Sequence, residues 1–433
     1  MNHSPLHIKE EWIHSVWRNG LYSSISFEMH PMIAPGITPC VEDPGVVNSD
    51  SGPDFLCVKL RIGDILWVGN AEIHLCSSDW NKHKHHLDRA YNNVILHVVL
   101  NRDSSILSQQ GEEPMTAVLE VNPQIIERAQ QLSASRHLPV CAPLLKPFPR
   151  EKWFAWLELL YQERLQEQQL RINEMYLRCN KDWAHLVHIF LLRYLGSRVN
   201  NEAMEQIALS LPPSILSKHS SSLKQLEALF LGQGGLLNFS ATDHIEDYAQ
   251  KLTEEYHFLR HKYNLRPLPG YQLRLLRLRP ASFPHRRLAF MAALYHSYSN
   301  LPAQLMSCNN LEELTTLLNN TSLSPYWETH FLFGKESKKM LSRLSASTIQ
   351  SIAINVLYPI QYFFAKEQVQ TSHSTITCQT IPAEKNHIVR LFSKHKFPIR
   401  NAADTQALLH LHRHYCTQQL CSFCALGICC VAT

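Results

Sequence analysis

Residues 48–74 read NSDSGPDFLCVKLRIGDILWVGNAEIH. The alternation from Phe55 to Ile62 predicts a half-buried β-strand, and Gly63-Asp64 is a turn signal. Ile65 to Val68 and Ala71 to Leu75 read as further strand segments. Folded back this way, Asp54 and Glu72 fall at neighbouring strand positions, where two carboxylates can hold one divalent cation. His74 lies two residues past Glu72 and therefore on the same sheet face, because side chains alternate along a strand.

Outward from this hairpin, residues 9–19 set Ile13, Val16 and Trp17 at helical spacing, and Gly20 is suited to a helix C-cap. Residues 31–53 are a Pro- and Gly-rich loop, and Asp79 to Asn93 is polar, His-rich and in part helical. The continuous apolar run Val94 to Leu100 predicts a buried strand. Helix, strands, helix, strand make a mixed α/β domain over residues 1–146. From Pro147 the pattern turns helical, over 151–178, 182–195, 202–211, 223–231, 243–263, 287–296, 311–319 and 346–365. The stretch Ile349 to Ala365 reads as a buried helix kinked near Pro359. A helical domain over 147–367 and a closing segment over 368–433 complete the organisation. Within that segment 368–382 is a polar loop and a last helix runs from about Asn401 to Tyr415. The fold class expected is α+β.

Mg²⁺ is commonly bound through one or two carboxylates, with water and substrate filling its remaining positions. Such an ion lowers the pKa of an attacking water and neutralises charge on a phosphoryl oxygen. Asp54 and Glu72 supply oxygens for Mg²⁺ or Mn²⁺, the Ile73 carbonyl offers another, and His74 orients water or phosphate. Glu10 or Glu11 on the first helix adds a third carboxylate, with Glu11 taken as the auxiliary ligand. Asp79, His83 and His85, with His97 on the next strand, are further cleft candidates, since a histidine in a buried strand needs a partner. The plainer reading is a Ser-Gly-Pro-Asp turn followed by an outward-facing Glu.

Pro53-Asp54 and Glu72-Ile73-His74 resemble the PD-(D/E)XK nuclease superfamily. That resemblance implies a nuclease-like sheet and phosphodiester hydrolysis. The last motif residue there is usually Lys; the His here is a weaker electrostatic catalyst, although it can act as base or ligand. At longer range the chain resembles an uncharacterised bacterial family, domain of unknown function 2851. The shared stretches are Asn48-x-Asp-Ser-Gly-Pro-Asp-Phe55, Gly69-Asn-Ala-Glu-Ile-His74, Asp79-Trp80 with His83 and His85, and Tyr91-x-x-Val-Ile-Leu-His-Val-Val99. Farther on they are Arg277-Leu-Arg-Pro280 with Phe283-Pro284 and Arg287, Tyr326-Trp327, and Tyr415-Cys416 with Cys421 and Cys424. That family brings no established activity.

The chain ends Cys416-x4-Cys421-x2-Cys424-x4-Cys429-Cys430. Three thiolates this close suit a Zn²⁺ or an iron–sulfur cluster, each of which usually takes four ligands. The fourth is Cys429, Cys430 or the distant Cys141, and His410, His412 and His414 are within reach of a Zn²⁺ site. Some nucleases of the superfamily just named carry a cluster on one remote and three clustered cysteines, and Cys141 with Cys416, Cys421 and Cys424 is similar to that scheme. Reduced cysteines packed at a helix end are the alternative.

Between Glu255 and Glu312 there is no acidic residue, while Arg260, Lys262, Arg266, Arg274, Arg277, Arg279, Arg286 and Arg287 fall inside. Tyr256, Phe258, Tyr263, Tyr271 and Phe283 interleave with them. Arg contacts phosphate bidentately and stacks on aromatic faces, so Arg274, Arg277, Arg279, Arg286 and Arg287 are candidates for a nucleic-acid backbone. Arg277 and Arg279 alternate with Leu276 and Leu278, which predicts an extended segment with one polar face. The alternative is a solvated face whose Arg stems cover apolar surface.

The composition is that of an ordinary globular protein, with 45% hydrophobic and 18% charged residues among 433. The net charge of +4 is uneven: residues 1–150 carry 12 basic and 16 acidic side chains. That leaves a basic remainder suited to a polyanion. The twelve cysteines and the absence of a charged-then-apolar leader point to a reducing cytoplasm, and no apolar run is long enough to span a bilayer. Phosphate-cradling, dinucleotide, nucleophile-elbow and His-Glu-x-x-His signatures are missing. Three readings stand: a metal-dependent nuclease, a non-catalytic nucleic-acid-binding or scaffold protein, and a metalloenzyme of another class built on His83, His85 and His97.

Overall fold

The computed structural model describes residues 8–31, 33–48, 50–135, 139–145, 147–239, 246–338, 343–366 and 377–432. The expected loop over 368–382 lies outside the described residues as far as residue 376. The chain divides into two compact units. The first comprises Met1–Trp156, Arg390–Pro398 and Leu408–Thr433, and the second Leu157–Val389 and Ile399–Ala407. The Cys-rich end of the chain thus folds with the N-terminal sheet.

The first unit is built on seven strands: β1 (Ser24–Phe27), β2 (Cys40–Asp43), β3 (Val46–Val47), β4 (Phe55–Ile62), β5 (Ile65–Cys76), β6 (Val94–Asn101) and β7 (Met115–Glu120). They lie in the order β1-β7-β6-β5-β4-β2, with β3 also on β4. The β4–β5 pair is antiparallel, whereas β5–β6 and β6–β7 are parallel, which makes a mixed sheet. The two expected strand segments after Asp64 are one strand of twelve residues. Helix α1 (Glu10–Arg18) buries Trp12, Ile13, Val16 and Trp17, as its spacing requires. The short α2 (Asp79–Lys82) and α3 (Pro123–Ala134) follow β5 and β7. Strands β1, β2, β3 and β7 and helix α3 drew no expectation from the sequence. Three of those strands have four residues or fewer, too short for alternation to show.

Two slips in pairing decide which side chains meet. Along β4 and β5, Val58 pairs with Gly69 but Phe55 pairs with Ala71, so one extra residue sits in β4. Cys57 takes up that residue at φ 58, a left-handed conformation that makes a bulge. Without it Asp54 would stand opposite Ile73; with it Asp54 stands opposite Glu72, and opposed residues share a face. Along β5 and β6, Asn70 pairs with Val94 but Ala71 with Leu96, so Glu72 comes to pair with His97. Gly69 permits this second slip, because a Cβ there would lie 2.5 Å from Ile95 Cγ2.

The second unit is helical, with long elements at Trp183–Leu195, Ser197–Ser210, Leu223–Gln233, Asp247–Tyr263 and Pro284–Ser297 around a core that includes Leu226, Phe230, Leu288 and Tyr295. The kink expected at Pro359 is present. Helix Ala346–Ile352 passes through a π-helical turn, Ala353–Leu357, before Tyr358–Lys366. Pro359 has no N–H for the preceding turn, and a π-turn is one way to absorb the lost bond. No helix among the described residues is long and apolar enough to cross a membrane.

Candidate metal centre

The centre lies on the β5 face covered by α1 and flanked by the loop after β5. Asp54 and Glu72 converge there. The Asp54 amide donates to Glu72 Oε2 at 3.0 Å, and the Ile73 amide donates to Asp54 Oδ2 at 3.0 Å. Each carboxylate is thus aimed by the backbone of the opposite strand. His74 is almost fully buried, with Nδ1 2.9 Å from His97 Nε2 and Nε2 3.1 Å from His83 Nδ1. His85 Nε2 reaches Glu72 Oε1 at 3.1 Å, and His74 Nε2 lies 3.6 Å from the same oxygen. One ring nitrogen from each of His74, His83 and His85 falls within 4.8 Å of the others, and His83 is the exposed member.

The loop is shaped to deliver those rings. Asp103 accepts from the Ser78 amide and from the hydroxyls of Ser77 and Ser78, while Asp79 accepts from the Cys76 amide. Those bonds fix the exit from β5. Lys84, at φ 64, then reverses the chain between His83 and His85 so that both rings face inward. Trp80 backs the cluster, fully buried, with its ring edge-on to His85 and His97 and its indole N–H bonded to the Leu107 carbonyl. Tyr91 stacks on His85 at 3.9 Å between ring centres.

From α1, Glu10 Oε1 lies 4.0 Å from His74 Nε2, and His14 Nε2 lies 3.3 Å from Asp54 Oδ2. Glu11, the expected auxiliary ligand, is exposed; one step around the helix changes which acid faces the sheet. Asp79 caps a turn and pairs with Lys82 instead of joining the donors. The Ile73 amide, not its carbonyl, is the backbone group bonded at the carboxylate pair.

The electrostatics are those of a crowded, half-dry pocket. Burial, reinforced by Asp54, Glu72 and Asp79, pushes Glu10 up to about 7, with His14 opposing. Burial also raises Glu72, with the His85 hydrogen bond opposing and the Asp54 charge adding. His74 is pushed down to about 3 by burial and by His97, His85 and His83, and His97 is likewise pushed down to about 3 by burial and His85. For His14, burial works against the charge, but the Asp54 hydrogen bond and charge outweigh it, and the pKa rises. His74 and His97 are therefore neutral, with lone pairs to offer. The His97 Nδ1 and His85 Nε2 atoms are buried without a hydrogen bond, an arrangement that a cation among them would relieve.

The other expected residues fall elsewhere. Cys141, Cys416, Cys421 and Cys424 line one cavity in the first unit. In the second unit Arg274, Arg277 and Arg279 are exposed. Their segment is a turn rather than an extended strand, with Arg277 at φ 64 and Leu276 turned to solvent. Arg286 is no part of a basic surface: it is buried in helix Pro284–Ser297 and donates to the Trp327 carbonyl at 2.7 Å. Arg287, half-buried, donates to Ser282 Oγ. Glu10 and His14 were the members passed over. The signal was present in α1, where positions i and i+4 share a face.

No curated protein and no solved structure matches the chain. The family described as Protein of unknown function (DUF2851) matches residues 10–387, a span that takes in α1, the hairpin, the histidine loop and nearly all of the helical unit, and the chain belongs to that family.

Proposed function

We propose that this protein is a divalent-metal-dependent hydrolase centred on His74, His83, His85 and Glu72, and that its substrate is a phosphodiester of DNA or RNA. The observation that carries this reading is the convergence of three ring nitrogens within 4.8 Å beside the Glu72 carboxylate. Three imidazoles and one carboxylate suit Zn²⁺ or Mn²⁺ better than Mg²⁺, which prefers oxygen and retained water. When bound, such an ion supplies an activated water and offsets charge on the scissile group. The protein supplies the rest. Glu10, with its raised pKa, is the proton acceptor facing the ligands from α1. His14, held charged by Asp54, is placed to meet an anionic substrate oxygen. His97 accepts from His74 Nδ1–H and so keeps the opposite nitrogen free to coordinate.

Phosphodiester chemistry is supported by the nuclease-like arrangement, in which a helix precedes an antiparallel hairpin bearing Asp54 and Glu72 and a parallel strand follows. The exposed Arg274, Arg277 and Arg279 add a basic surface on the chain. The test is cleavage of single- and double-stranded DNA and RNA by the full chain loaded with Zn²⁺, Mn²⁺ or Mg²⁺. Turnover that vanishes in Glu72→Gln and His83→Ala is the expected result. Tight metal binding with no turnover on any of these substrates would overturn it and leave a binding protein.

A further inference from the structure

The terminal cysteines form a second site. Five thiols converge in the first unit: Cys141 from the loop after α3, Cys416 at the end of the π-helical turn Leu411–Cys416, Cys421 from a 3₁₀ turn, Cys424, and Cys430 on the terminal helix Ala425–Ala432. Each is less than a tenth exposed. Cys141 interacts directly with Cys430 and feels Cys424 and Cys416, while Cys421 and Cys424 feel each other and Cys430. Four of them line a cavity whose other walls are mainly apolar, among them Val140, Leu411, Leu420 and Leu426.

The local chain is bent to make this cavity. Gly427 lets the terminal helix sit against the Cys421 turn, because a Cβ there would lie 2.1 Å from the Cys421 carbonyl oxygen. The helix start then aims the Leu426 and Gly427 amides at the Cys424 sulfur, and the Trp156 indole N–H faces the same atom. The Val140 amide serves Cys416. Amides directed at sulfur favour the thiolate. Left as thiols, these groups resist ionisation: burial pushes Cys421 up to about 12 and Cys424 up to about 11. A site that gathers and hydrogen-bonds sulfur yet holds it neutral is complete only with positive charge inside.

We infer that this pocket holds a four-iron iron–sulfur cluster, ligated by Cys141, Cys421 and Cys424 with Cys416 or Cys430 as the fourth. The spacing selects a cluster over a single ion. A tetrahedral Zn²⁺ with sulfur at 2.3 Å needs its sulfurs roughly 3.8 Å apart. Among the described residues no three of these sulfurs lie mutually within 4.8 Å, a spacing that His74, His83 and His85 do meet. Sulfurs set back around a void suit a multi-iron core held by four thiolates. Each ligating thiol gives its proton to solvent as its iron–sulfur bond forms.

The cluster is a staple. The terminal helix packs on α3, where Arg128 donates to the Val431 carbonyl at 3.3 Å. Ligands from Cys141 and from the last turns of the chain tie two distant stretches of sequence to the unit that carries the histidine centre.

The experiment is anaerobic purification of the full chain, reconstitution with ferrous iron and sulfide, and assay of iron, acid-labile sulfide and zinc alongside the visible spectrum. About four iron and four sulfide per chain, with a broad charge-transfer band, are expected. Cys141→Ser, Cys421→Ser and Cys424→Ser lose the band, while the exposed Cys40→Ser keeps it. Circular dichroism on each variant separates lost ligation from lost folding, and iron content of partly folded variants is read per folded chain. One zinc without sulfide overturns the assignment. So does a colourless, folded, iron-free protein after reconstitution, or an unchanged band in Cys424→Ser.

Discussion

Asp54 and Glu72 face each other across the β4–β5 hairpin, and each is aimed by the other's strand: the Asp54 amide holds Glu72 Oε2, and the amide after Glu72 holds Asp54 Oδ2. Two like charges this close repel, and burial raises Glu72 further. Their reciprocal bonding keeps them in place for a cation with His74, His83 and His85 as its nitrogen donors.

The first expectation concerns metal affinity. Calorimetry or chelator competition on the full chain should find about one Zn²⁺ or Mn²⁺ at the histidine centre. Removing a direct ligand, in His83→Ala or His85→Ala, should weaken binding by at least about 100-fold. His97→Ala, which removes only the partner of His74, should cost about 10- to 100-fold. Unchanged affinity in all three variants would mean that the rings do not bind metal.

Glu10 and Glu11 separate by function. Glu10→Gln should lower kcat by about 10²- to 10⁴-fold, the usual worth of a positioned proton acceptor, while leaving metal stoichiometry intact. Glu11→Gln, at an exposed position, should change neither. Equal losses in both variants would remove Glu10 from the reaction.

The bulge at Cys57 makes the geometry testable without touching the site. A non-glycine residue at φ 58 carries roughly 1 kcal/mol of strain. Cys57→Gly should therefore raise stability by about that amount and preserve metal binding, and Cys57→Val should lower stability. Deleting Cys57 should bring Asp54 opposite Ile73 and weaken metal binding by about tenfold or more. An unaltered affinity in the deletion would show that the register is not what aligns the carboxylates.

In the helical unit, Glu227 is 1% exposed, accepts from the Tyr248 hydroxyl, and is pushed up to about 7 by burial. A folded pKa above the unfolded value favours the neutral acid. Its contribution is therefore full below about pH 4.5 and is lost as pH rises through about 7, by about 3 kcal/mol. Glu227→Gln should flatten that fall, so that urea midpoints of variant and wild type diverge between pH 5.5 and 8.5. Parallel pH dependences would exclude Glu227 as the source.

The hairpin, α1, the buried strand β6 and most helices of the second unit were legible in the sequence, because each repeats an apolar period over seven or more residues. Asp54, Glu72 and His74 were legible as neighbours for the same reason, since alternation assigns faces along a strand. The periodicity is silent on where a strand slips. One extra residue at Cys57 and another at Ile95 set Asp54 opposite Glu72 and Glu72 beside His97. The choice of Glu10 over Glu11 depended on how α1 rolls onto the sheet. The meeting of Cys141 with Cys421, Cys424 and Cys430 required the end of the chain to pack on α3. Local patterns determine which face a side chain takes, because they follow backbone geometry. Which side chains from distant stretches share one pocket is decided by register and packing, and those exist only in the folded chain.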